Sequence, residues 1–162
     1  MGEASPFQGR AFFYSSMENP VLQRFQSQIG KAVEYRSESL GSWLGGTLVA
    51  AAEGDFTLSF TVRKDMTNPV GIMHGGTASA IIDDVMGMTV YALGKEFVYV
   101  TVSLSVDFLD NAKEGETVFA RARVIRNGRT LVNVECHITN GAGRILAKGT
   151  SNLVATQIKA WR

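Results

Sequence analysis

The sequence predicts a single α+β domain in which a curved antiparallel sheet of about six strands wraps one long central helix, with an extra N-terminal helix. Three observations support this fold class. The 162 residues fit one domain. The segment from Ile72 to Leu93 is the most apolar long stretch, whereas several other segments alternate between apolar and polar residues. Because short turns connect most of these alternating segments, they are expected to pair antiparallel.

The N-terminal part divides into an arm and a helix. Residues 1–17 mix glycine and serine with several aromatic residues, and we interpret them as an arm that packs loosely or meets a neighbouring subunit. From Pro20 to Ala32, apolar residues recur at helical spacing. Asn19 is a suitable N-cap and Pro20 suits the first helical position.

Six segments alternate with a period of two and are predicted strands. Residues 44–53 and 56–63 form the first pair, joined by a turn at residues 53–55. Four more strands are predicted at residues 98–109, 117–126, 129–139 and 144–155. The Asn-Gly pair in the turn Arg126-Asn127-Gly128-Arg129 favours a type I′ hairpin.

The central helix is predicted from near Gly76 to Leu93, with Gly94 ending it. Its apolar residues surround most of its circumference, so it must be covered on nearly every side. One face of a sheet does not fully satisfy such a helix, and the outer face of the sheet also carries apolar residues. Both features predict an obligate dimer or tetramer.

Composition argues against several classes of protein. The net charge of +1 and the absence of a basic run disfavour a nucleic-acid or membrane-surface partner. Asp83 and Asp84 would each cost about 2.5 to 3.5 kcal/mol inside a bilayer, so the apolar helix is predicted to be a buried helix of a soluble protein. The first residues lack a signal-peptide pattern. One cysteine, Cys136, lies in an apolar alternation, which favours a buried small hydrophobe and a reducing, cytoplasmic compartment. With two histidines and one cysteine, no protein-built zinc site is expected.

The segment from Asn68 to Asp83 holds the residues that could carry chemistry. Gly75 and Gly76 would place unhindered N–H groups at the positive end of a helix, where a carbonyl oxygen could be held as it becomes an oxyanion. A tight turn or close helix packing would use the glycines equally well. His74 could act as a base, but a ring nitrogen that shapes the Gly-Gly turn is the more natural role.

Asp83 is a carboxylate inside an apolar helix, which is costly unless the group is partnered or functional. Asp84 follows about 100° further round the helix. A structural salt bridge or a cap to a neighbouring loop would explain either residue. Thr101, on the polar face of its strand, could hold a water or a carboxylate, although threonine suits any strand. His137 shares a face with Glu135 and is interpreted as a solvated or interface residue.

Taken together, these features resemble the PaaI-type branch of the hotdog-fold acyl-CoA thioesterases. The match consists of a glycine-rich segment, an acid, a later turn and part of the final strand. In order, these are Asn68, Gly71, His74, Gly75 and Gly76; then Asp83; then residues 126–131; and then residues 147–149. The resemblance covers roughly residues 44–155. It implies a hotdog thioesterase domain over residues 41–158, preceded by an N-terminal arm and helix over residues 1–40.

The resemblance implies active sites at the interface of a homodimer, alone or within a homotetramer. The Gly75 N–H and the Asn68 side chain would bind the thioester carbonyl, and His74 would orient their loop. The partner's Asp83 would act as nucleophile or as general base on water. Thr101 takes the position of a supporting hydroxyl.

The implied substrate is an acyl-CoA, with an aromatic or medium-chain acyl group, and no metal or cofactor beyond the CoA of the substrate. The residues expected to bind it are Gly76, Arg126, Gly128, Arg129 and Thr130. Lys148 is a further candidate cation for the CoA phosphates. Two other functions use such a fold, a non-catalytic acyl-CoA-binding module and an enoyl-CoA hydratase. The presence of the acid and the lack of a DNA-binding segment disfavour the first, and the hydratase pattern of Asp and His is not found.

Overall fold

The computed structural model describes residues 19–160, so the predicted arm lies outside the described residues. Three helices and six strands follow one another, together with a short 3₁₀ turn at Lys64–Met66. The helices are α1 (Pro20–Gln26), α2 (Leu40–Leu44) and α3 (Gly75–Tyr91). The strands are β1 (Thr47–Ala52), β2 (Asp55–Thr61), β3 (Phe97–Phe108), β4 (Thr117–Asn127), β5 (Leu131–Asn140) and β6 (Ile145–Lys159). The predicted α+β class and the six strands are confirmed.

The N-terminal helix starts as predicted and ends early. The Asn19 side chain accepts a hydrogen bond from the Leu22 N–H, and Pro20 occupies the first turn. However, α1 ends at Gln26 rather than at Ala32, and Ala32 forms an isolated bridge with Thr47 of β1. The apolar spacing beyond Gln26 therefore belongs to a loop that follows the edge of the sheet.

Helix α2 was not predicted, and it overlaps the start of the first predicted strand. Ser39 caps it through a hydrogen bond from the Ser42 N–H, and Gly45 ends it in the left-handed region with a φ of 68°. A helix of five residues is too short to show helical periodicity. Its capping residues were the local signal for it.

All six strands pair antiparallel in the order β1-β2-β4-β5-β6-β3. Strand β3, which directly follows α3 in sequence, therefore lies at the far edge beside β6. Gly54, with a φ of 67°, allows the tight turn between β1 and β2. The ten residue pairs between β3 and β6 run from Phe97↔Lys159 to Phe108↔Ala147.

The predicted type I′ turn between β4 and β5 is wrong. That turn needs positive φ at both central residues, and within residues 19–160 neither Asn127 nor Gly128 has one. Instead Asn127 pairs with Val132 as part of β4, and the Gly128 N–H donates to the Leu131 carbonyl at 3.0 Å. The connection is a loop of three residues, 128–130, because a bulge after Val124 shifts the strand register.

Helix α3 crosses the concave face of the sheet and is covered on most sides, as predicted. Ile82, Val85 and Met86 are fully buried against side chains of the sheet. No residue of the helix after Gly76 is exposed, but Asp83, Asp84 and Gly87 form a half-buried strip. This strip is where the helix borders a cavity rather than the core.

Strand β3 has no buried residue, although apolar residues alternate along it. Val100, Val102 and Phe108 are 44%, 58% and 56% exposed. The strand is twelve residues long and its outer edge has no partner within the described chain. Long apolar edge strands are uncommon in monomeric proteins because they pair with other chains.

Candidate active site

The start of α3 is shaped by His74. The Nδ1 atom of this N-cap residue accepts a hydrogen bond of 2.8 Å from the Gly76 N–H, and its carbonyl accepts one from the Ala78 N–H. The orienting role that the sequence favoured for His74 therefore has a direct geometric basis. Within residues 19–160 the N–H of Gly75 has no acceptor, and it lies at the positive end of the helix.

The loop before α3 is held by hydrogen bonds to the backbone. The Met66 carbonyl accepts from the His74 N–H at 2.9 Å and from the Thr77 hydroxyl at 3.2 Å. The Met73 N–H donates to the Ala112 carbonyl at 2.8 Å. These contacts fix the first turn of α3 relative to the sheet, so the Gly75 N–H keeps one orientation.

Asn68 uses one end of its side chain inside this loop. Its Oδ1 accepts from the N–H groups of Val70 and Ile72, at 3.1 and 3.3 Å. The amide Nδ2 has no acceptor among residues 19–160. The group that remains available is a donor, which is the kind of group that binding a carbonyl requires.

Asp83 is joined to Thr101 on β3. The Thr101 hydroxyl donates a hydrogen bond of 2.8 Å to the Asp83 carboxylate. Asp83 is half-buried and Thr101 is exposed. The structure thus brings together two of the predicted site residues that are 18 positions apart in sequence.

Asp84 has a different environment from its neighbour. The Tyr35 hydroxyl donates to it at 2.6 Å. Burial raises the pKa of Asp84 above its ordinary value, the nearby charge of Asp83 adds to this, and the Tyr35 hydrogen bond opposes it. Burial and the Asp84 charge also raise the pKa of Tyr35. The Asp84 carboxylate is therefore hydrogen-bonded within its own chain, which agrees with the structural role that the sequence left open for one of the two acids.

A cavity of about 610 Å³ borders Asp83. Thr101 and Asp84 also line it, together with residues from α1, from the segment after it, from α3 and from β6. Apolar side chains make up much of the wall, including Val21, Phe25, Val33, Met88 and Leu153. An apolar cavity with a few converging polar groups is typical of a small-molecule site.

The two halves of the predicted site are separated within one chain. Gly75 and Asp83 are eight residues apart on α3, which corresponds to about 12 Å along the helix axis. Gly75 instead lies beside the end of β3, since a Cβ on this glycine would be 3.2 Å from the Phe108 ring. One copy of the chain does not bring the two groups to the same carbonyl.

The predicted CoA-binding turn is anchored next to the cavity. Lys95 donates to the Gly128 carbonyl at 3.0 Å, and the Tyr99 hydroxyl donates to the Arg129 carbonyl at 2.5 Å. Tyr99 also lines the cavity. The side chains of Arg126, Arg129 and Thr130 are exposed.

Gly76 and Lys148 are not near this turn. Gly76 is exposed at the start of α3. Lys148 pairs with Asp107 at 3.6 Å, near the opposite end of β3 and β6 from Tyr99. Within one chain the candidate binding groups therefore form two sets, one at each end of β3.

The remaining candidates have structural explanations. Cys136 is fully buried, and burial raises the pKa of its thiol to about 12, so it is a small hydrophobe as expected. His137 is half-buried on β5, opposite Arg121 and Lys148. Across residues 19–160, no three His, Cys, Asp or Glu side chains are arranged to share a metal ion. No helix in the same range has the length and hydropathy to cross a membrane.

The sequence allowed the N-terminal segment to narrow the pocket but did not identify which of its residues line the cavity. Val21 and Phe25 of α1, with Tyr35 after it, line the same cavity as Asp83. The helical spacing of Val21 and Phe25 predicted an apolar face, but not what that face would cover. Tyr35 gave no signal, because its partner is 49 residues away.

Comparisons with known proteins agree with this architecture. The family model described as the thioesterase superfamily matches residues 70–147, which include the start of α3, Asp83, Thr101 and the 128–130 loop. Human acyl-coenzyme A thioesterase 13 is 31% identical over 104 residues, covering 64% of this chain and 74% of that protein.

Solved structures show the same fold. Zebrafish thioesterase superfamily member 2 is 26% identical, with a TM-score of 0.72 over 85% of this chain and 97% of the other. The Escherichia coli PaaI protein is 19% identical, with a TM-score of 0.74 over 86% of this chain and 98% of the other, and this likeness concerns the fold alone. The helix wrapped by a six-stranded antiparallel sheet, the family match and the human relative together place this chain in the thioesterase superfamily, as a hotdog-fold thioesterase.

Proposed function

We propose that the protein hydrolyses acyl-CoA thioesters at sites formed between two copies of the chain. The observation that carries this proposal is the Asp83 carboxylate, held by the Thr101 hydroxyl at 2.8 Å on the wall of a largely apolar cavity. A carboxylate in this setting suits attack on a thioester carbonyl, either directly or through a water. The name of the human relative supports CoA esters as the substrate class.

In the proposed reaction, the Gly75 N–H and the Asn68 amide of one copy bind the thioester oxygen. These two donors stabilise the negative charge that develops on that oxygen. The partner's Asp83 attacks the carbonyl carbon or takes a proton from the attacking water. On the direct route the C–S bond breaks to leave an anhydride on Asp83, and water then hydrolyses the anhydride to the free acid and restores the carboxylate. On the water route the C–S bond of the tetrahedral intermediate breaks and releases the free acid directly. On both routes the thiolate of CoA takes up the proton that the water loses. The step needs an oxyanion donor, a carboxylate and a water, and no additional cofactor.

A dimer that pairs the free edges of β3 would bring the two half-sites together. Gly75 lies beside Phe108 at one end of β3, and Thr101, which holds Asp83, lies seven residues earlier, about 23 Å away along a strand. Antiparallel pairing of two such edges reverses one strand relative to the other. The Gly75 end of one copy then faces the Asp83 end of its partner, and the exposed apolar residues of β3 become buried.

We also propose that the CoA moiety binds along the exposed 126–130 segment. Arg126 and Arg129 supply cations for its phosphates and Thr130 supplies a hydroxyl, while Gly128, bonded to Leu131 and Lys95, holds the loop that carries them. Gly76 lies beside the oxyanion donor at the other half-site. A homodimer is the smallest assembly that completes the site, and a homotetramer would contain two such dimers. A cytoplasmic location remains a prediction from the single buried cysteine.

The first test is a panel of CoA esters with short, medium, long and aromatic acyl groups, assayed by release of free thiol. Turnover of at least one class is expected, whereas acyl-CoA binding without turnover would contradict the proposal and favour the binding-module alternative. The same acyl groups on acyl-carrier protein serve as the comparison for the CoA part.

The second test addresses the shared site. Gly75→Pro and Asp83→Asn proteins are each expected to be nearly inactive, but equal amounts refolded together should recover about one quarter of the wild-type rate, because half of the dimers are mixed and each has one intact site. Sites contained within single chains would recover no activity. A dilution series should also show loss of activity when the dimer dissociates.

A further inference from the structure

Gly87 lies in the interior of α3, one turn after Asp83, where neither the backbone conformation nor a close contact requires glycine. Glycine weakens a helix relative to alanine. Gly87 has no positive φ that would require it, and a Cβ added there would meet no atom within 4 Å. The neighbouring Val85 and Met86 are fully buried. The glycine therefore leaves open space beside an otherwise tightly packed helix.

The open space at Gly87 borders two cavities along the helix. Gly87 lines the cavity that contains Asp83 and also a second cavity of about 220 Å³, and Tyr91 and Tyr99 line both. Asp83, Gly87 and Tyr91 follow one another at intervals of four residues, so they share one face of α3. From Asp83 to Tyr91 the helix rises about 12 Å.

Aromatic rings line the main cavity about two turns of α3 beyond Asp83. Phe25 of α1 packs edge-on against Tyr91, with ring centroids 6.4 Å apart, and against Phe56 of the core, at 5.2 Å. Phe25 and Tyr91 both line the cavity. Since Phe56 is fully buried, the Phe25–Tyr91 pair is packed against the core.

We propose that Gly87 is a specificity-determining residue that keeps a channel open for a medium-chain acyl group. This inference rests on the proposed function, with the thioester carbonyl at Asp83. The acyl chain would run along α3, past Gly87, to the Phe25–Tyr91 pair. An extended alkyl chain advances about 1.2 to 1.3 Å per carbon, given C–C bonds of about 1.5 Å, so the 12 Å path accommodates about ten carbons.

The wall chemistry agrees with an uncharged chain. Val33, Met88 and Leu153 are apolar side chains that line the cavity. Asp84 is hydrogen-bonded to Tyr35. Apart from Asp83 and Asp84, the charged residues that line the cavity are Arg24, Glu34 and Arg36, and all three are exposed.

The test replaces the open space with side chains of increasing size, Gly87→Ala and Gly87→Leu. The readout is the ratio of kcat/KM for decanoyl-CoA to kcat/KM for butyryl-CoA. We expect this ratio to fall at least tenfold in Gly87→Leu and less in Gly87→Ala. Gly141→Leu is the matched control, since Gly141 also has open space around it but lies in the exposed turn between β5 and β6. A ratio that stays within twofold of wild type in Gly87→Leu, or that falls equally in Gly141→Leu, would overturn the inference.

A binding measurement separates this inference from the proposed function. In Asp83→Asn protein, calorimetric titration is expected to show decanoyl-CoA binding at least tenfold more weakly once Gly87→Leu is added. If the wild-type protein hydrolyses no CoA ester but this loss of binding is seen, the function fails and the channel stands. If hydrolysis is seen and neither the ratio nor the affinity changes, the channel fails and the function stands. Should Gly87→Leu not fold, Gly87→Ala decides the same comparison, with a change of at least twofold expected in both readouts.

Discussion

Replacing Gly75 by proline removes the proposed oxyanion donor with little change to the fold. Gly75 is the first residue of α3, where proline is well tolerated because its N–H has no helical acceptor. His74 before it has φ −65° and ψ 137°, a conformation that a residue preceding proline can adopt. The nearest obstacle is the Phe108 ring, 3.2 Å from a Cβ at this position, and Gly75→Ala introduces the same contact.

The expected loss follows from the number of donors. Removing one hydrogen-bond donor from an oxyanion site lowers kcat by about 100- to 1000-fold, or about 2.7 to 4 kcal/mol of transition-state stabilisation. The Asn68 amide and the Asp83 carboxylate would supply the remaining activity. Because the donor acts on the developing charge, kcat should fall while KM changes little. The free energy of unfolding should change by less than about 1 kcal/mol.

Steady-state hydrolysis of a CoA ester, followed by thiol release, measures this effect. Gly75→Ala is the matched variant, because it introduces the same contact with Phe108 and keeps the N–H. The loss in Gly75→Pro relative to Gly75→Ala therefore reports the N–H alone. If the proline variant is folded, has the wild-type oligomeric state and turns over within threefold of the alanine variant, the Gly75 N–H does not bind the oxyanion.

Three further predictions concern the same face of α3. Asp83→Asn should lower hydrolysis by at least about 100-fold, within the range of lost acid–base catalysis, while Asp84→Asn should cost less than about tenfold; equal losses would mean that the wrong carboxylate has been assigned. Burial raises the pKa of the Asp84 carboxyl in the folded protein above its ordinary value of 3.8. The free energy of unfolding of the wild type should therefore fall relative to that of Asp84→Asn as the pH rises from about 4 through the folded pKa. Urea unfolding of both proteins from about pH 4 to 8 measures this difference, and parallel pH curves would refute it. Gly87→Ala should raise the free energy of unfolding by about 0.5 to 1 kcal/mol, because the methyl group meets no atom and the helix gains propensity; a loss of stability would show that the space is not open.

The sequence by itself determined the elements whose signals are local. The long apolar helix, the Asn19 cap, the Gly54 turn and the alternating strands depend on neighbouring residues, and the structure confirms them. The apolar circumference of α3 also predicted that the sheet must wrap it. Local reasoning failed at the Asn127-Gly128 turn, where the register of β4 against β5 decided the backbone conformation.

Only the tertiary structure gave the two adjacent acids different environments and formed the cavity. Asp83 and Asp84 have almost the same sequence context, but Thr101 contacts one and Tyr35 the other. The position of β3 at a free edge likewise depends on its pairing with β6, about 50 residues later. Hydrogen-bond partners and burial depend on contacts between residues that are distant in sequence, so the chemistry of each carboxylate is decided only when the chain has folded.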